Sequence, residues 1–247
     1  MRQLKFGVLV FPGSNGDQDC LYLLNEVLGV ATDAVWHEAT QLAAYDCLIL
    51  PGGFSYGDYL RCGAIARFSP VMAPLRAYAA AGGPVLGICN GFQILAEAGL
   101  LPGALLRNQE LAFACRQIHV RVEPGAQATP FTQGVAGGTI WRLPIAHGEG
   151  RYFAAPETLA ALAANRQIVL RYCAPDGEVT PVANPNGSSQ AIAGVCNPAG
   201  NVLGLMPHPE RAGEALVGGA DGLQLFQALI AACSSAGADF RALPAGS

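Results

Sequence analysis

Lysine is nearly missing from this 247-residue chain: Lys5 is the only one, and arginine supplies the other 13 of the 14 basic side chains. A Walker-type phosphate loop needs a lysine beside a glycine-rich turn. Lys5 stands in the first apolar run with no such turn before it. Any nucleotide chemistry is therefore expected on another chain. Charge of either sign is sparse, at 13% of residues with a net of −4, which leaves no basic footprint for nucleic acid. No two of the eight cysteines stand closer than 15 residues, so CxxC pairs for zinc or dithiol work are excluded and no metal site is expected. No apolar run reaches the roughly 18 residues of a membrane span, and Met1–Val10 lacks the h-region of a secretory leader. A cytoplasmic protein with reduced thiols is expected.

Apolar residues are plentiful, at 51% of the chain, enough for a large core. Lys5–Phe11, Cys47–Leu50 and Val85–Cys89 are short apolar runs with proline or glycine within two residues of their ends, the pattern of buried strands, and Ala31–Trp36 reads as another strand. Between them, Gln18–Leu28, Val71–Ala81 and Gly91–Gly99 carry helical spacing with glycine at or just past their ends. This alternation predicts an α/β fold with a mostly parallel central sheet and helices on both faces. After Leu106 the rhythm changes. Ile118–Val122, Thr139–Leu143, Ile168–Tyr172, Ala191–Val195 and Val202–Leu205 are expected to be antiparallel additions and the last sheet strands, with few helices between. Gly222–Cys233 is a closing helix, and the tail from Ser234 is expected to fray. With no repeat or linker, residues 1–247 are expected to form a single domain.

The sharpest local feature is Gly87-Ile-Cys-Asn-Gly91, directly after one buried strand and before a helix. It has the form of a nucleophile elbow with cysteine in place of serine. The helix N-terminus favours the thiolate, the reactive form of Cys89. The rival reading is a cysteine that glycines merely allow to pack closely. A base is then needed. His37 ends an early strand, and His119 within Ile118–Val122 fits a packed strand residue. His147 and His208 each belong to a His-x-Glu pair, with Glu149 and Glu210. Flanking Pro207 and Pro209 predict extended geometry that puts Glu210 on the same side as His208, where it can fix the ring tautomer. His147, next to Gly148, reads either as a solvated turn or as a mobile loop that touches substrate or partner. Pro51-Gly-Gly53, also directly after a strand, can aim backbone N–H groups: Gly53 and Asn90 are the candidate oxyanion hole.

Pro51-Gly-Gly, Gly87-Ile-Cys-Asn-Gly91 and His208-Pro-Glu210, in that order, resemble the class I (triad) glutamine amidotransferases. Longer strings look like the glutaminase subunits of phosphoribosylformylglycinamidine (FGAM) synthase. They are Gly52-Gly-Phe-Ser-Tyr-Gly-Asp-Tyr-Leu-Arg61, Cys89-Asn-Gly-Phe-Gln93, Pro144-Ile-Ala-His-Gly-Glu-Gly150, Asn184-Pro-Asn-Gly-Ser188 and Met206-Pro-His-Pro-Glu-Arg211. The likeness runs from about Lys5 to the final helix; Ala155–Gly177 carries no diagnostic string. It implies a flavodoxin-like class I glutamine amidotransferase fold and a thioester on Cys89, with His208 as proton shuttle and Glu210 orienting it. It also implies that Gln93 contacts the glutamine substrate. The chain itself would need no cofactor. ATP and Mg²⁺ would bind to a large synthetase subunit that turns formylglycinamide ribonucleotide (FGAR) into FGAM, with a small accessory subunit in the assembly. Docking is expected to activate the glutaminase by ordering Gly52-Gly53.

Two rivals remain at this point. One is a self-sufficient cysteine hydrolase or peptidase on the same elbow. The other is a binding or stress protein with Cys89 as redox sensor, against which the His208–Glu210 pair argues. A glutamine-analogue label on Cys89 separates all three.

Overall fold

The structure is a computed structural model and describes residues 3–235. Nine strands form one sheet in the order β2-β1-β3-β4-β11-β10-β9-β6-β7. Its parallel half consists of β1 (Lys5–Val10), β2 (Ala31–Trp36), β3 (Cys47–Leu50), β4 (Val85–Ile88) and β11 (Val202–Leu205). That spatial order is the flavodoxin-like one, with the last strand in fifth place. β3, β4 and β11 are buried at every residue, as strands covered on both faces must be, which explains why their sequences do not alternate.

The second half of the chain extends the sheet with antiparallel strands, as expected: β10 (Ile192–Cys196), β9 (Ile168–Cys173), β6 (Ala114–Val122) and β7 (Ile140–His147). Here burial alternates. Trp141, Leu143 and Ile145 point into the core while Arg142 is exposed, the period of a sheet with one wet face.

The helices are α1 (Asp17–Tyr22), α2 (Met72–Ala80), α3 (Asn90–Glu97), α4 (Pro156–Ala164) and α5 (Leu223–Ser235). The helix expected over Gln18–Leu28 does not stay α-helical. From Leu23 to Val27 it widens into a π turn, with Leu28 N donating to Leu23 O at 2.9 Å. α4 falls where no helix was expected, and so does a two-stranded sheet of β5 (Ala104–Leu106) and β8 (Arg151–Phe153). The fraying expected from Ser234 is corrected at its start: Ser234 and Ser235 still belong to α5, their hydroxyls donating to the carbonyls of Ile230 and Ala231 at 2.8 Å. Residues 236–247 lie outside the described residues. No helix among the described residues is long and apolar enough to cross a membrane.

Candidate active site

Three adjacent parallel strands, β3, β4 and β11, end at one edge of the sheet, where open α/β folds bind ligands. Each delivers one part of the site. Past β4, the chain turns at Cys89 with φ 51° and ψ −104°, a conformation that side-chain-bearing residues rarely hold and that marks strain at a functional turn. α3 begins at Asn90. The elbow glycines permit the turn: a β-carbon on Gly91 would collide with the Leu50 carbonyl, and one on Gly87 would sit 2.9 Å from Gly91 C. The Cys89 amide donates to Leu205 O at 2.8 Å, tying the nucleophile to β11. Its thiol sits 3.8 Å from the carbonyl of Ala146, on β7.

Past β11, His208 Nδ1 meets Glu210 Oε1 at 2.6 Å, with the two side chains 2% and 0% exposed. Extended geometry does not make this contact, contrary to expectation. Pro209–Arg211 is a 3-10 turn that follows His208, because Pro209 fixes φ at a helical value and can open a helical turn. The turn brings the carboxylate under the ring. Burial opposes a charge on His208, but the Glu210 carboxylate, and after it Cys89, outweigh burial and hold the imidazole well above its ordinary pKa. Nε2 is buried without a well-directed hydrogen bond, and so is Glu210 Oε2. That nitrogen is the one left for the Cys89 sulfur, whose charge and hydrogen bond help to raise the ring's pKa. The amide of His208 donates to Pro144 O at 2.9 Å, which seats the ring against β7.

Past β3, Gly52 fills the floor between these two. A β-carbon there would lie 2.7 Å from His208 Cε1 and 3.6 Å from Cys89 Cβ. The Gly52 carbonyl accepts from the amides of Asn15 and Gly16, and Gly53 pairs with Ser14. These contacts tie Gly52-Gly53 to the Ser14–Gly16 segment. Asn90, the other candidate oxyanion donor, follows Cys89 at the first turn of α3, where backbone amides lack intrahelical partners.

His147 is not on a solvated turn or a mobile loop. It ends β7 and is buried, with Nδ1 3.1 Å from Asn108 Oδ1. Asn108 donates its amide to the carbonyls of Ala112 and His147, so its oxygen must accept, and Nδ1 of His147 must carry the proton. Burial, then the positive charge of His208, pull His147 down to a pKa of about 4. So low a pKa makes His147 too weak a base to hold the thiol's proton, and His208 remains the candidate base. Glu149 lies just beyond, its carboxylate 3.6 Å from Arg107 and its carbonyl accepting from Gln93 Nε2 at 2.6 Å. Gln93 Oε1 accepts from Asn90 Nδ2 at 2.8 Å. The Gln93 amide thus joins the elbow to the segment after β7, and only its remaining hydrogen-bond capacity is left for a substrate.

Relatives fit this geometry. Residues 3–220 match the CobB/CobQ-like glutamine amidotransferase domain. The chain is 60% identical over 227 residues to the phosphoribosylformylglycinamidine synthase subunit PurQ of Moorella thermoacetica, covering 92% of this chain and 95% of that one. It is 57% identical to the PurQ subunit of Acaryochloris marina, covering 92% and 96%. The chain belongs to the PurQ family of glutamine amidotransferases. Among solved structures, PurLQS from Thermotoga maritima superimposes with a TM-score of 0.81 at 43% identity, covering 93% of this chain and 99% of that chain. A glutamine amidotransferase from the same organism, at 15% identity and a TM-score of 0.52, shares the fold, covering 86% of this chain and 78% of that one.

Other participants in this PurQ-family site were not legible in advance. Asn108 locks His147, and Ala146 faces the thiol, yet both contacts join residues far apart in sequence and leave no local pattern. A cavity of about 340 Å³ lies behind the triad, lined by Asp19, Ala146, Glu210 and Arg211 but by neither Cys89 nor His208. A larger one, about 570 Å³, lies near Pro84 and Asn201 at the opposite ends of the same strands and is remote from the chemistry. His37 and His119 are packed outside the triad. His37 packs between Phe11, Trp36 and Tyr56, and His119 lies within β6.

Proposed function

We propose that this chain is the glutaminase subunit of FGAM synthase and that it releases ammonia from glutamine through a thioester on Cys89. The observation that carries the reading is the buried His208–Glu210 contact of 2.6 Å beside the thiol, at the ends of strands that also present Gly52-Gly53 and Asn90. Cys89 Sγ attacks the side-chain amide carbon of glutamine. The amides of Gly53 and Asn90 hold the oxyanion while His208 passes a proton to the departing ammonia. Water then attacks the thioester, His208 takes its proton, and glutamate leaves with the thiol restored. Glu210 keeps the proton-bearing ring in the right tautomer throughout. Gln93 offers its spare hydrogen-bond capacity to the substrate, and His147 and Glu149 line the same edge. Ammonia passes to a large synthetase subunit, assembled with a small accessory subunit, where ATP and Mg²⁺ act on FGAR.

Access supports dependence on that partner. Cys89 is only 5% exposed, which fits a site that opens to glutamine when the synthetase docks. The test is two-fold. A glutamine-mimicking diazoketone should alkylate Cys89 and no other cysteine. Adding synthetase with its ligands should raise kcat/KM for glutamine at least about tenfold, or about 1.4 kcal/mol. Labelling spread over several cysteines sinks the glutaminase reading. Equal rates with and without synthetase restore the self-sufficient hydrolase.

A further inference from the structure

We propose that Asp58 is a positioning residue for the glutaminase reaction: acting through the side chain of Asn90, it holds the strained turn that follows Gly52-Gly53 to the elbow at Cys89. The proposal rests on the glutaminase reading above and extends it to a residue outside the triad. From Gly53 to Leu60 the backbone repeatedly enters the left-handed region, at Gly53 (φ 143°), Tyr56 (53°), Gly57 (68°), Asp58 (55°) and Leu60 (70°). Three of these residues bear full side chains, so the surroundings must impose the conformation.

One end of the turn is anchored to the body. Phe54 N donates to Gly13 O at 2.9 Å, and the Tyr56 hydroxyl lies 2.8 Å from Ser69 Oγ and 3.0 Å from His37 Nδ1. The other anchor is Asn90, next to the nucleophile. Its side-chain oxygen accepts from Ser55 N at 3.1 Å, while its nitrogen donates to Asp58 Oδ1 at 3.3 Å and to Gln93 Oε1 at 2.8 Å. A single amide therefore spans the turn, the elbow and, through Gln93, the segment at Glu149. Asp58 and Gln93 are the two acceptors that orient it, and Asp58 is the one on the turn. If the Asn90 amide rotated, its nitrogen would face the Ser55 N–H and the link between turn and elbow would be lost.

The placement of Asp58 is costly for a carboxylate with no such task. It is half-buried, and burial followed by the charge of Glu149 raises its pKa against the pull of the Cys62 and Asn90 hydrogen bonds. Among the described residues no basic side chain forms an ion pair with it. Leu60, two residues on, is 89% exposed, so the solvated end of the turn is close at hand and was not taken.

The experiment uses the full chain assembled with its synthetase. Asp58→Ala should lower kcat for glutamine about tenfold to a hundredfold, the scale of a small displacement at a reacting centre, with KM nearly unchanged because the oxyanion exists only after attack. Asp58→Asn keeps an acceptor for Asn90 and should recover most of kcat. Iodoacetamide alkylates Cys89 without forming an oxyanion and should react with Asp58→Ala at the wild-type rate. A γ-glutamyl aldehyde, which forms a tetrahedral adduct, should bind more weakly by the same factor as kcat. Unchanged kcat in Asp58→Ala overturns the proposal. So does a rise in KM alone, which makes Asp58 a direct substrate contact, and so does a matching loss of iodoacetamide reactivity, which indicates general damage. Wild-type Cys89 is labelled first: failure of that label removes the glutaminase reading itself, whatever Asp58 does.

Discussion

Gly52 and His208 leave each other no room: a β-carbon on Gly52 would lie 2.7 Å from the imidazole Cε1. Nothing near that ring is flexible enough to give way, since Nδ1 is held by Glu210 and the backbone amide by Pro144. Gly52→Ala should therefore displace the base from the thiol. We expect glutaminase activity to fall at least about a hundredfold, with ammonia-driven FGAM synthesis in the assembled enzyme unchanged. Steady-state glutamate release checks it, and a near-wild-type rate would show that the ring is not confined.

The triad itself predicts a graded series. Cys89→Ala should abolish glutamine-dependent FGAM formation, because no thioester can form, while added ammonium salt still serves as donor. His208→Ala should lose a factor on the order of 10²–10⁴, and Glu210→Gln less, since the histidine remains. His147→Ala should be milder than His208→Ala. The opposite ranking in a rapid-quench assay of thioester formation would move the base to His147.

The two histidines bias stability in opposite directions with pH. His208 is raised above its ordinary 6.5. Its pairing with Glu210 stabilises the fold fully below about pH 6.5, and this contribution is lost as pH rises through the elevated folded value. His147 is lowered from 6.5 to about 4, so the folded state resists a proton that the unfolded chain accepts, and stability falls as pH drops from 6.5 toward 4. Tm measured against pH should thus decline on both sides. Glu210→Gln should flatten the alkaline side and His147→Gln the acid side. A variant that leaves its own limb unchanged refutes that assignment.

Gly204, in β11, offers a test of packing alone. A β-carbon there would meet the Phe92 ring and lie 2.6 Å from Leu101 Cδ1. Gly204→Ala should destabilise the protein by about 1–3 kcal/mol, the usual penalty for overfilling a close-packed core. Urea unfolding measures it directly, and an unchanged midpoint would mean that Phe92 has somewhere to go.

How far the sequence foretold this molecule varies by element. Cys47–Leu50 and Val202–Leu205 were legible to the residue, because uninterrupted apolar runs between glycine, proline or asparagine turns have few alternatives to a buried strand. The elbow was legible because its flanking glycines encode its geometry locally, and the His208–Glu210 pair from its spacing alone, since its flanking prolines pointed to extended backbone where Pro209 opens a 3-10 turn. α4 was not: it is alanine-rich, and Leu162 is its one buried residue, so it has no apolar stripe to detect. β5 and β8 are three residues each, too short for any period to show. The π turn at Leu23–Val27 is a slip of one hydrogen bond that side-chain spacing barely registers. His147 misled because its neighbours Gly148 and Gly150 suggest a turn, whereas the strand and Asn108, distant in sequence, decide its surroundings.

The antiparallel half of the sheet has a consequence for how the protein is made. β7 stands at the far edge of the strand order, yet Pro144 and Ala146 return to His208 and Cys89. On the ribosome, β1–β4 with Cys89 emerge first and can collapse on local contacts, before β11 is made to complete the parallel half. The base and carboxylate follow only after β7, β9 and β10 have been synthesised, and such long-range pairings form slowly. Until they do, the nascent chain carries a thiol with no proton acceptor, so a truncated translation product cannot consume glutamine.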